Sequence, residues 1–143
     1  MATTTATITL SSADLLSDEL SLTTVATLTK AGTSTGLVST GGLGRKTTES
    51  SSEYTLFTAS EYTDDGANKI YLKNTSSTAA EYFIVKLGDI EMGRLYAGDW
   101  AFFPWNADTG TTPDADVKIT PSVSTEITLE YMLLNEEKLT NKQ

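Results

Sequence analysis

Carboxylates are the side chains in this sequence best placed to do chemistry, because the usual partners are missing: 143 residues contain no His and no Cys. The best calcium candidate is Asp108, Asp114 and Asp116, with Asn106 and Gly110 nearby. Calcium takes about six to eight oxygen ligands, and one acidic loop can supply several of them. The spacing is not that of an EF-hand, and a plain acidic hairpin loop is the competing reading. Asp64 with Asp65, and Asp89 with Glu91, have the composition of a glycosidase acid and base. Both pairs fall at turn signals, where solvated charge is the simpler explanation. Serine is abundant, but no imidazole is present to activate one, and no Gly-x-Ser-x-Gly elbow occurs. A Ser–Lys pair would draw on Lys30, Lys46 or Lys118, and no spacing selects among them. The run Gly41-Gly42-Leu43-Gly44-Arg45-Lys46 lacks the spacing of a phosphate-binding loop. The expectation is a protein with no catalytic residues, no cofactor and no metal.

The elements that would position such residues are strands. Ile127, Leu129, Tyr131 and Leu133 alternate with Thr128, Glu130 and Met132, a period of two with one face inward. Ile70 and Leu72 repeat the pattern. Tyr82 to Leu87 is apolar on both faces, with Phe83, Val85 and Leu87 assigned to the core. Trp100 to Pro104 forms another strand, and Val117 and Ile119 mark a short one closed by Pro121. Asp64-Asp65-Gly66, Gly88-Asp89 and Ala97-Gly98-Asp99 supply turns between them. Turns about ten residues apart fit a small sandwich or barrel. The expected fold is all-β: an antiparallel β-sandwich or jelly-roll-like domain with a Ser/Thr/Gly-rich N-terminal arm.

Composition divides the chain into three parts. Residues 1–52 carry no aromatic and read as an arm with edge strands, including Ala6 to Leu10 and Leu20 to Leu22. Ser12 could cap one helical turn, and the glycine-rich stretch 32–46 reads as a flexible loop. Residues 53–134 hold every Phe, Tyr and Trp and make the core domain, leaving 135–143 as a polar tail. A net charge of −9 and a pI near 4.3 oppose contact with phosphate backbones, so nucleic acid is not an expected partner. Apolar runs are too short to span a bilayer, and the opening lacks the charge and apolar pattern of a secretory signal. Asn74-Thr75-Ser76 fits a glycosylation acceptor, but reads as a turn.

Surface contact is the function that remains. Tyr96, Trp100, Phe102, Phe103 and Trp105 are crowded into one short stretch. Alternation puts Trp100 and Phe102 on one face of a strand and Phe103 and Trp105 on the other. One face belongs to the core; the other is covered by the N-terminal segment or meets a partner. Tyr96, Phe103 and Trp105 are the anchor candidates, with Arg45 and Lys46 meeting carboxylates on the partner. A sugar-stacking platform is the alternative use of the same rings.

The stretch Lys73-Asn74-Thr75-Ser76, Tyr82-Phe83-Ile84-Val85-Lys86-Leu87-Gly88 and Gly93-Arg94-Leu95-Tyr96-Ala97-Gly98-Asp99 running into Trp100–Trp105 resembles small β-sandwich virion proteins of tailed bacteriophages. The Met1-Ala2-Thr3-Thr4 opening is similar in character. The resemblance covers about residues 70–105 and implies virion assembly without catalysis. Its first implication is a capsid decoration (cement) protein on the capsid exterior. Such a protein binds the major capsid protein or other virion proteins and bridges capsomers, as a homo-oligomer with a trimer favoured. A tail, neck or fibre-associated component and a carbohydrate-binding module for host recognition are the alternatives.

Overall fold

The computed structural model describes residues 3–15 and 17–136. Eleven strands account for its regular structure: β1 (Thr4–Ser12), β2 (Leu20–Leu28), β3 (Ser39–Thr40), β4 (Gly44–Thr48), β5 (Tyr54–Phe57), β6 (Asn68–Asn74), β7 (Tyr82–Leu87), β8 (Ile90–Tyr96), β9 (Trp100–Trp105), β10 (Val117–Pro121) and β11 (Ile127–Asn135). A single 3-10 turn, Ala59–Glu61, is the only helical element among the described residues. The fold is all-β, as the alternating pattern requires.

Two antiparallel sheets form the sandwich. One runs β5-β10-β7-β8; the other runs β3-β11-β6-β9, with β4 also paired to β11. β3 and β4 divide one edge of β11 between them: β4 lies along Ile127 to Tyr131 and β3 along Leu134 and Asn135. The inward residues alternate on every central strand. Ile70 and Leu72 from β6 and Leu129 and Leu133 from β11 meet Phe83 and Val85 from β7 and Val117 and Ile119 from β10. Burying side chains of this size stabilises a domain by about 1.5–3 kcal/mol each, which is what holds the two layers together.

Asn74 pins one sheet to the other. It ends β6 with its side chain fully buried, and its amide donates to the carbonyls of Glu81 (3.1 Å) and Leu95 (3.0 Å). Its Oδ1 accepts the amide of Ser76 at 3.0 Å, and its backbone joins the turn between β8 and β9 through Asp99 and Gly98. Gly98 makes that turn at a φ of 84°, a conformation that favours glycine. The glycosylation pattern at Asn74 is thus part of the interior.

Several expectations shift. Strands β4, β5 and β8 were not evident from alternation, and β4 occupies part of the stretch expected to be a flexible loop. Residues 39–48 join the sandwich as edge strands along β11. Gly44 makes room there for Tyr131: a Cβ would lie 2.8 Å from its Cζ, so the ring would have to shift. Ser12 makes a turn rather than a helix start, its Oγ accepting the amides of Asp14 and Leu15. Leu16 and the tail from residue 137 onward lie outside the described residues, so the tail expected at 135–143 is described only at its first two positions, of which Asn135 ends β11.

Candidate contact surface

Strands β1 and β2 pair with each other in an uninterrupted register from Thr4↔Leu28 to Ser12↔Leu20 and, among the described residues, with no other strand. Sequence alternation makes this hairpin two-faced. Thr5, Thr7 and Thr9 sit opposite Thr27, Val25 and Thr23, with the Thr9 and Thr23 hydroxyls 3.4 Å apart. The other face carries Ala6, Ile8 and Leu10 opposite Ala26, Thr24 and Leu22. Leu28 is buried at the base. A tight loop follows, closed by the Thr29–Gly36 bridge and by Lys30 donating to Thr35 at 2.8 Å. Glu136 accepts the amide of Ala31, tying that loop to the end of β11.

Near its base the hairpin leans over the outer face of the β6–β9 pair. Ala6 and Ile8 border an open cleft of about 350 Å³ with Tyr71, Lys73, Trp100 and Phe102. Farther out the apolar face is uncovered: Leu10 is 48% exposed and Leu22 is 47% exposed. The distal turn bears Asp14, Asp18 and Glu19, all exposed, with Leu15 among them.

The outer sheet face has the opposite charge. Arg45 on β4 and Lys69 and Lys73 on β6 share it with Glu130, and Glu136 lies near Lys69. Glu130 is 3.5 Å from Arg45 and accepts the Tyr71 hydroxyl at 3.2 Å. Partial burial and that hydrogen bond raise the Tyr71 phenol above its ordinary value. Burial lowers Lys69, against the pull of Glu136. This concentration of cations in a strongly acidic chain makes the face electrostatically distinct.

The anchor candidates are scattered. Trp105 is 2% exposed, donates to the carbonyl of Ala115 at 2.7 Å and packs against Tyr62 and Phe57. It is a core residue and has no surface to offer a partner. Phe103 is half-buried against the core. Tyr96 is exposed and packs on Tyr82, over which Arg94 also lies at 4.7 Å. Arg45 points outward with its side chain 71% exposed, whereas Lys46 turns to the other side and covers the Tyr54 ring at 5.0 Å. The strand alternation around Trp100 is therefore as expected, but the outward face is Trp100 and Phe102, with Tyr71 and Lys73 beside them. Sequence reasoning chose the inward pair. The hairpin explains the difference, since it is the N-terminal segment that borders the outward rings.

The carboxylates hold local structure. Asp116 accepts the Ala59 amide at 2.7 Å and Asp108 accepts the Gly110 amide at 2.6 Å. No three His, Cys, Asp or Glu side chains among the described residues converge as metal ligands. Asp89 pairs with Lys118 at 3.5 Å, Glu91 with Arg94 at 3.5 Å, and Asp64 accepts the Thr109 hydroxyl at 2.9 Å. A second cavity of about 330 Å³ lies between the β3–β4 glycines and the rings of Phe57, Tyr62 and Tyr131. No family model matches the sequence, and no curated protein matches it.

Proposed function

We propose that this chain is a non-catalytic assembly protein, a structural component of a tailed-phage virion whose first role is decoration of the outer capsid. The observation that carries the reading is the hairpin: two nine-residue strands with an exposed apolar face, joined by an acidic tip and projecting from a sandwich that does not need it for its core. A surface lattice turns modest contacts of this kind into firm attachment, because neighbouring copies raise one another's effective concentration. The resemblance across residues 70–105 supplies the virion context. The partner is then the major capsid protein, and bridging of capsomers is the work performed.

The test is sedimentation of the purified protein with undecorated capsids. Full-length chain should pellet with them. A chain lacking residues 1–27 should stay in the supernatant while keeping its near-UV circular dichroism. The truncation stops there because Leu28 is buried. Pelleting of the truncated chain would move the contact to the sandwich.

One observation favours a second reading. Trp100 is 48% exposed beside Tyr71 and Phe102, and aromatic faces stack on sugar rings. A carbohydrate-binding module would show saturable glycan binding that is lost in Trp100→Ala with the hairpin intact.

A further inference from the structure

A two-stranded hairpin is marginal in water unless one face is covered. Here the covering is incomplete. The base leans on its own sheet across an unfilled cleft, and Leu10 and Leu22 in the outer half remain about half exposed. We infer that the occupant of this face is a second copy of the chain, with the apolar face of one copy's hairpin packed on the outer β4-β11-β6-β9 face of the next.

Three features select this partner. The first is charge. The hairpin tip presents Asp14, Asp18 and Glu19, while the outer sheet face presents Arg45, Lys69 and Lys73 against Glu130, with Glu136 beside Lys69 at its end. Two acidic chains of this net charge repel on average, so opposite charges localised on the two contact surfaces fix which faces meet. The second is chemistry. Leu10 and Leu22 require an apolar surface, and Phe102, Met132 and Pro104 provide one among the cations.

The third is area. A hairpin of nine-residue strands is about 30 Å long and about 10 Å wide, so one face covers about 300 Å². One such contact buries about 600 Å² over both partners, below the roughly 1,200 Å² of a specific stable interface. Two reciprocal contacts between the same two copies reach that figure; in a ring of three each pair shares a single contact, and closure of the ring supplies the rest. The arrangement must therefore close on itself, as a dimer with exchanged arms or as a ring of three, rather than stop at a single docked arm. A self-contact of this kind does not depend on what the assembled protein is for.

The experiment is light scattering after size exclusion, with the full chain and no other protein present. A closed oligomer is expected, with a mass of two or three times 15.3 kDa. Leu10→Glu with Leu22→Glu should weaken association at least tenfold. So should Arg45→Glu with Lys69→Glu and Lys73→Glu. Combining the latter with Asp14→Lys, Asp18→Lys and Glu19→Lys should restore the oligomer, which a merely misfolded variant cannot do. Near-UV circular dichroism reports that each variant retains its core. A wild-type monomer at about 100 μM protein would overturn the inference. An oligomer that both sets of substitutions leave intact, or a reversed pair that fails to recover, would do the same. Capsid sedimentation is read separately, so a wild-type chain that stays monomeric yet pellets with capsids rejects this contact and leaves the virion reading standing.

Discussion

Strands β11 and β2 are each nine residues long and pair without interruption, yet they are held by different means. β11 has neighbours on both edges, and its Ile127, Leu129 and Leu133 are buried against the opposite sheet. β2 has one neighbour, and Leu28 is the only buried residue along it. Ladder hydrogen bonds are present in both. The difference is the second layer, and it teaches that pairing alone orders a strand without making it contribute much to the stability of the fold. Most of the free energy resides where side chains from two sheets interdigitate.

The contrast is open to direct attack, beginning with the core. Phe83→Ala should lower unfolding free energy by about 3–5 kcal/mol in urea titrations, since a fully buried ring leaves a cavity. Leu22→Ala in dilute solution should change it by less than about 0.5 kcal/mol. A loss above about 1.5 kcal/mol at Leu22 would make the hairpin part of the same cooperative unit and erase the distinction. Asn74→Ala comes next, at about 2–3 kcal/mol, because the buried carbonyls of Glu81 and Leu95 lose a donor. Gly44→Ala should cost about 1–2 kcal/mol as Tyr131 gives way, whereas Gly41→Ala, with open space at its Cβ, should be near neutral in the same titration.

The smallest effect is alkaline. Tyr71 has its ionisation raised above 10.0 by burial and by Glu130, so its contribution is complete below that pH and is lost as pH rises through the folded value. Lys86, kept charged by Glu53, acts in the same sense above 10.5. Lys69 is lowered by burial and acts in the opposite sense as pH rises toward 10.5. Thermal melts above pH 10 should fall, and Tyr71→Phe should flatten that decline.

Periodicity made the central strands legible because their inward residues are large aliphatics and their outward ones are polar. It failed at β8, where Glu91, Gly93 and Arg94 break up the apolar signal of a strand that is exposed for most of its length. At β9 the alternation was readable but the inward face was not. Each face offers one Trp and one Phe, so hydrophobicity cannot choose between them. What decides is tertiary: Trp105 reaches the Ala115 carbonyl, while Trp100 faces the N-terminal hairpin. That hairpin was visible only as two threonine-rich alternating runs. Their equal length and full pairing became clear once Thr4–Ser12 and Leu20–Leu28 were placed together. Of the outer face proposed as a contact surface, sequence reasoning named Arg45 as a contact candidate but not Trp100, Phe102, Tyr71 or Lys73.

The pin at Asn74 bears on how the protein would behave if made in a secretory pathway. Its amide is sealed between the sheets and both its protons are engaged, so an oligosaccharide cannot be attached to the folded domain. Attachment would have to occur on the nascent chain, and a chain modified there could no longer close the two layers. Production would then become a race between transferase and folding, yielding unmodified native molecules and modified ones that never assemble.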